Sequence, residues 1–564
     1  MRHLRSNFEP GSPREAVRRA QWRALGLSDE DMRKPKIAVV NSSSELAICF
    51  SHLDGVAKVV KEAIREAGGL PFEIRTAAPS DFIISAGASG GYMLASRDLI
   101  VNDMEIAIEG AQLDGMICLS SCDKTPPAHL MAAGRFNIPS ILVICGYQPS
   151  GHFNGRHVDI EDVFVGSVQA MFGTLSREAL DGMCDHAVGG PGVCAGMGTA
   201  NSMHIVCEAL GMTLPCSAPV LANSATMFDA ARRSGARIVE MVWENLTPRT
   251  ILTPGAFRNA VAAVLAVSGS INCVKHLQAI AVETGLDLDV FALFNELGPR
   301  VPVLSAVAPN GSDTIEAFDA SGGARALFEQ LGPLLDRSAM TVTGRSMNEN
   351  LHGVATTNAD VIRPLDRPFA RGGSIVILRG SLAPESAIAK PGARQEGPRR
   401  FRGTALVYED VPAAMSGIQA GELHPGHVLV LRGCGPKGGP AMAGSASRVV
   451  FAIYAAGLEN EVAFVTDGQL SGLCTKGLTI AEVSPESATG GPLALVENGD
   501  PISIDVDARQ LDLDVPATEL ERRRARRGER PLPHASGYLA IYQRAVQPMS
   551  TGAVLVPPRC LEPE

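Results

Sequence analysis

Aromatic residues make up only 5% of this 564-residue chain, with two tryptophans and six tyrosines. Its interior must therefore be built from aliphatic side chains and close backbone approach rather than from stacked rings. Nowhere do about 18 apolar residues run without interruption, which excludes an ordinary membrane-spanning helix. The amino-terminal stretch MRHLRSNFEPGSPREAVRRAQWRALG also lacks the apolar core of a secretory signal. Positive charge is in deficit, with 50 Lys+Arg against 60 Asp+Glu and a net charge of −10, which argues against a nucleic-acid surface. The one basic run, ERRRARRGER at 521–530, is short, mixed with Glu519, Glu521 and Glu529, and free of aromatics; it reads as a solvated helix face. There is no CxxC pair and no HExxH helix, so generic zinc-site grammar and a plain zinc hydrolase are disfavoured. The expected compartment is cytoplasmic, where the 12 cysteines remain reduced.

Glycine is plentiful, at 58 residues, and the length exceeds what one ordinary core serves. From Lys36 to about Asn350, short apolar runs such as KIAVVN, DGMICLSS and SILVICG alternate with helical periods such as VAKVVKEAIREAGG. That alternation predicts an α/β fold with a parallel sheet and flanking helices, its ligands beyond the carboxyl ends of the strands. After Pro364 the texture changes to short strand-like runs, including HVLVLRGCGPKGGP, EVAFVTDG and PISIDVDARQLDLDV, and long helices become scarce. Two domains are expected, a large N-terminal one over 1–363 and a smaller β-rich one over 364–564.

The stretch LSSCDKTPPAHLMAAG at 119–134 places Cys122, Asp123 and Lys124 where an apolar strand ends and a helix begins, with Pro126 and Pro127 suited to the helix start. Two further cysteines occupy comparable loops, Cys49 in NSSSELAICFSH and Cys194 in GGPGVCAGMGTANSM, whereas Cys118, Cys145 and Cys207 read as core fillers. These loops, with LTPRTILTPGAFRNAV, SGSINCVKHLQAIA, MTVTGRSMNENL, GSLAPESAIAK, GCGPKGGPAM, VTDGQLSG and VSPESATGGPLALVENGD in that order, make the chain resemble the dihydroxy-acid and sugar-acid dehydratase family over nearly its whole length.

The resemblance implies a barrel-like, swivelling C-terminal domain and an iron-sulfur cluster, 2Fe-2S rather than 4Fe-4S, on Cys49, Cys122 and Cys194. It implies a magnesium ion on Asp81, Asp123 and a carbamylated Lys124, with Ser471 as the base that takes the C2 proton. It further implies a small hydroxy acid as substrate and a homodimer or homotetramer as the assembly. Residue by residue, plainer readings stand beside these: Lys124 paired with Asp123, Asp81 as a loop or cap residue, and Ser471 as a turn residue near Gly468 and Gly472. The sequence also departs from the family pattern. Two expected glutamates fall on Ala88 and Gly444, the histidine of a GHVSPE-like block is Glu482, and a threonine is Ile271. Glu482 is one candidate for a replacement oxygen. The functional expectation is a cluster-dependent hydro-lyase that turns a 2,3-dihydroxy or sugar acid into a 2-keto acid; the alternative is a catalytically silent paralogue that keeps scaffold and cluster.

Overall fold

A computed structural model describes residues 4–391, 398–441, 443–528 and 531–555. Its first sheet has four parallel strands, β1 (Lys36–Asn41), β2 (Leu70–Arg75), β3 (Gly115–Ser120) and β4 (Ser140–Ile144), in the order β2-β1-β3-β4. Every residue of β1, β3 and β4 is buried, as continuous apolar runs covered on both faces by helices require. One cover is the pair Leu53–Glu66 and Ala225–Glu244. It closes tightly because Gly235 has no side chain, where a Cβ would lie 2.9 Å from the Val60 carbonyl oxygen.

The expected alternation of strand and helix stops at Ile144. A short hairpin follows, β5 (Gly151–Phe153) with β6 (Arg156–Val158), and from Ile160 to Leu351 the elements are helices. The reason is visible in Pro254–Ala266 and Asn272–Thr284, nearly all of whose residues are buried. A helix apolar on all sides loses the periodicity that separates it from strand.

The eight later strands are β7 (Val376–Leu378), β8 (Ser386–Ala389), β9 (Arg400–Tyr408), β10 (His427–Leu431), β11 (Ala463–Thr466), β12 (Leu478–Ser484), β13 (Pro501–Asp505) and β14 (Gln510–Leu513). They form one mixed sheet, β14-β13-β9-β10-β11-β12-β8-β7, curled into a barrel-like shape. At its seam the Arg379 amide donates to the Arg509 carbonyl and the Leu511 amide to that of Arg379, each at 3.0 Å. Alternation sorts the strands by face: Val428, Val430, Ala463 and Val465 fill the barrel, whereas Leu429, Leu431 and Phe464 belong to the core of the first sheet. Helices are less scarce here than the sequence suggests, since Ala443–Ala455 runs 13 residues and packs on the helices Val411–Gln419 and Ile160–Met171.

The two parts are joined inside by Lys275 and Glu482, whose charged atoms lie 2.9 Å apart with both side chains fully buried. In the basic run, helix Ala517–Arg526 has no buried residue, although Arg523 turns inward to ion-pair with Asp500 and Glu519. Glu529 and Arg530 lie outside the described residues. No helix among the described residues is long and apolar enough to cross a membrane.

Candidate active site

The loop at the carboxyl end of β3 and the segment that follows β2 open toward one cavity of about 340 Å³, and the loop after β11 closes it from the barrel side. Its lining includes Asp81, Cys122, Asp123, Cys194 and Ser471.

The β3 loop is held from several directions. Ser121 donates its amide to Thr125 Oγ1 at 2.9 Å and its hydroxyl to the Cys49 carbonyl, while His204 Nε2 meets the Ser121 carbonyl at 2.9 Å. This fastens the loop carrying Cys49 to the one carrying Cys122. Helix Thr125–Phe136 starts directly behind, with its prolines in the first turn. The glycine-rich turn with Cys194 is fixed by Asn201 Nδ2, which donates to the carbonyls of Cys194 and Gly196, both at 2.8 Å.

The Cys49 thiol stands next to that of Cys122. That contact, with burial and the nearby charges of Asp123 and Cys194, holds the Cys122 thiol well above its ordinary range. Cys194 is raised as well, by burial first and then by Glu161 and Asp123. All three cysteines are free thiols. Cys118, Cys145 and Cys207 are fully buried and packed among apolar side chains.

Lys124 is buried, with Nζ 2.7 Å from Asp81 Oδ2 and 3.9 Å from Asp123 Oδ2. Its nearer partner is therefore Asp81, which opens the short helix Asp81–Ile84 and leaves its Oδ1 buried without a hydrogen bond. Burial, followed by the charge of Asp81, pushes Asp123 up to about 6 against the pull of Lys124 and Thr199. Ser471 donates its amide to Ser447 Oγ at 2.8 Å and accepts the Leu473 amide on its hydroxyl at 3.2 Å. Lys390 Nζ, lowered to about 8 by burial, donates to the neighbouring Gly472 carbonyl at 3.1 Å.

Glu482 does not line this cavity. The idea that it supplies a replacement oxygen there is corrected by its buried pairing with Lys275. Two charged lining residues escape the sequence reading: Glu161, in the first turn of helix Ile160–Met171, and Arg448, one turn beyond Ser445. Glu161 is raised well above the carboxylate range by burial, with Asp159, Asp123 and Asp162 adding to it. Its signal in DIEDVF is hidden because Asp159 and Asp162 form a capping box there, and an acid in a first turn reads as helix chemistry. The same box accounts for the grouping of His157, Asp159 and Asp162, whose potential ligand atoms lie within 4.8 Å of one another. The remaining walls are apolar, with Phe82 edge-on to Phe164 at 5.6 Å, and Met93 and Leu473 beside them.

The chain matches two family descriptions in succession: Dihydroxy-acid/6-phosphogluconate dehydratase N-terminal over residues 34–350, and its C-terminal counterpart over 360–553. It is 40% identical to a dihydroxy-acid dehydratase of Ignicoccus hospitalis over 545 residues, covering 96% of this chain and 98% of that one. It is 41% identical to that of Methanococcoides burtonii over 556 residues, covering 98% of this chain and 100% of that one. It is 39% identical to that of Moorella thermoacetica over 556 residues, with the same coverage. The class these likenesses define is a hydro-lyase of the dehydratase type. The chain belongs to the dihydroxy-acid/6-phosphogluconate dehydratase family.

Proposed function

We propose that the protein dehydrates a 2,3-dihydroxy carboxylic acid or sugar acid to a 2-keto acid, using an iron-sulfur cluster on Cys49, Cys122 and Cys194. The observation that carries this reading is that Cys122, Cys194 and Asp123 line one cavity that also receives Ser471 from the barrel, with Cys49 behind the lining and its thiol next to that of Cys122. The donor set suits the group. Three free thiols leave one cluster position open, and the buried, unpartnered Asp81 Oδ1 beside Asp123 suits a hard cation. Asp81, Asp123 and Lys124, carbamylated into an oxygen donor, would hold magnesium in a site altered by the loss of the glutamates at 88 and 444. When bound, cluster and magnesium would supply Lewis acidity to the departing 3-hydroxyl and anchorage for the substrate carboxylate and 2-hydroxyl.

The chain's own groups do the rest. Ser471 takes the C2 proton, and the Leu473 amide on its Oγ favours the ionised form. The Ser447 hydroxyl, bonded to the Ser471 amide, fixes where that oxygen points. Arg448, which has no hydrogen-bond or ion-pair partner among the described residues, places positive charge at the rim and draws in an anionic substrate. Phe82, Phe164, Met93 and Leu473 exclude water from the carbon skeleton. We further propose a domain boundary at 363/364, a cytoplasmic setting, and assembly as a homodimer or homotetramer, which light scattering would report.

The test is anaerobic reconstitution with iron and sulfide, visible spectroscopy, and a keto-acid assay over a panel of dihydroxy and sugar acids. Turnover that disappears in Ser471→Ala with the colour retained supports the reading. Full colour without turnover of any acid would instead support a silent scaffold, and unchanged iron content in Cys122→Ser would remove the cluster assignment.

A further inference from the structure

Lys390, the residue after β8, is 6% exposed. Its Nζ donates to the Gly472 carbonyl at 3.1 Å, and among the described residues no carboxylate lies within ion-pair distance of it. An ammonium buried against a neutral carbonyl is costly, and an apolar side chain of similar length would fill the same space at lower cost. The carbonyl it holds belongs to the residue after Ser471. Gly472 also touches the glycine-rich turn that carries Cys194, since an added Cβ would lie 3.7 Å from Gly198 Cα and from Ser270 Oγ. The charges that reach Lys390 are those of Cys474, three residues after Ser471, Glu161 on helix Ile160–Met171 and Cys273 on helix Asn272–Thr284. The cavity that Ser471 faces is acidic: Asp81, Asp123, Glu161, Cys122 and Cys194 line it, with Arg448 the one cation among the described lining residues. Negative charge on Ser471 Oγ is opposed there unless a cation stands close behind it.

We infer that Lys390 is a positioning residue for the base. Its grip on the Gly472 carbonyl sets where Ser471 Oγ points, and its charge behind the turn stabilises that oxygen in the ionised form. This rests on the reading of Ser471 as the base. The C2 proton passes to Ser471 Oγ, the electron pair of the C2–H bond forms the bond between C2 and C3, and the 3-hydroxyl leaves; Lys390 keeps its own protons throughout.

The test uses the full chain, reconstituted with iron and sulfide, and an acid that the wild type turns over, in ordinary and 2-deuterated forms. Lys390→Met is expected to lower kcat about tenfold or more with KM little changed, and to move the acidic limb of the kcat profile upward by about one pH unit. Iron content and visible spectrum should stay those of the wild type. The deuterium effect on kcat should rise, because C2 proton removal becomes limiting. Lys390→Arg, which keeps donor and charge, should recover most of the rate and the original limb. Should Lys390→Met lose its colour, Lys390→Gln, which keeps a donor without the charge, is expected to show the same shifts. A wild-type rate, or a lower rate with limb and isotope effect unmoved, would overturn the positioning role. If Ser471→Ala is inactive while Lys390→Met is not, only this inference falls; if Ser471→Ala keeps its turnover, the assignment of the base falls with it.

Discussion

Replacing Lys275 by Met isolates a question the fold raises: does the buried pair with Glu482 stabilise the protein, or only avoid a penalty? At 2.9 Å and an effective dielectric of about 20, the gross attraction is about 6 kcal/mol. Removing two ions from water costs several kcal/mol each. The titration behaviour shows which effect wins. Lys275 is lowered to about 8 and Glu482 is raised, and in both burial outweighs the partner's charge. Each member is thus displaced toward its neutral form, so the pair as a whole adds little. Lys275→Met alone strands a buried carboxylate and should cost about 3–5 kcal/mol, as should Glu482→Leu alone. The double variant is expected to return to within about 1 kcal/mol of the wild type or to exceed it. Urea unfolding followed by circular dichroism, analysed as a double-mutant cycle, measures all four states. A double variant as unstable as either single one would refute the reasoning. Loss of divalent-cation binding in a stable double variant would return Glu482 to the cation site.

Three other outcomes are expected. His129, fully buried and pushed down to about 3 by that burial, stays neutral in the fold while the unfolded chain protonates below about 6.5. Its contribution is therefore complete above that pH and lost as pH falls toward 3, so wild type should lose about 2.7 kcal/mol more than His129→Asn between pH 7 and 4.5 in parallel urea titrations. Asp467 accepts the Gly433, Cys434 and Ser487 amides and the Ser487 hydroxyl; Asp467→Ala should cost about 2–4 kcal/mol by leaving buried donors unpaired, measured as a drop in denaturation midpoint. Arg448→Met should raise KM for the acid about tenfold with kcat little changed and should flatten the salt dependence of kcat/KM; equal salt profiles for the two proteins would count against its steering role.

The elements nearest the cysteines were the most legible, because β1, β3 and β4 are buried on both faces and so appear as unbroken apolar runs. The prolines after Lys124 marked the helix start for the same local reason. What escaped depends on distance along the chain or on space left by neighbours. Glu482 looked available because its partner Lys275 lies 207 residues away. Glu161 passed unnoticed because the room for its carboxylate is made by glycines in another loop. The helices beyond Ile160 blurred into the strand pattern because burial on every side erases a helical stripe.

The seam between Arg379 and Leu511 bears on how copies of this chain can meet. With its terminal strands linked by main-chain bonds, the barrel offers an incoming polypeptide little free ladder to extend, so strand addition there would first require prising the ring apart. Any lasting partnership at that end of the molecule has to be written in side chains, and is therefore open to single substitutions in a way that backbone pairing is not.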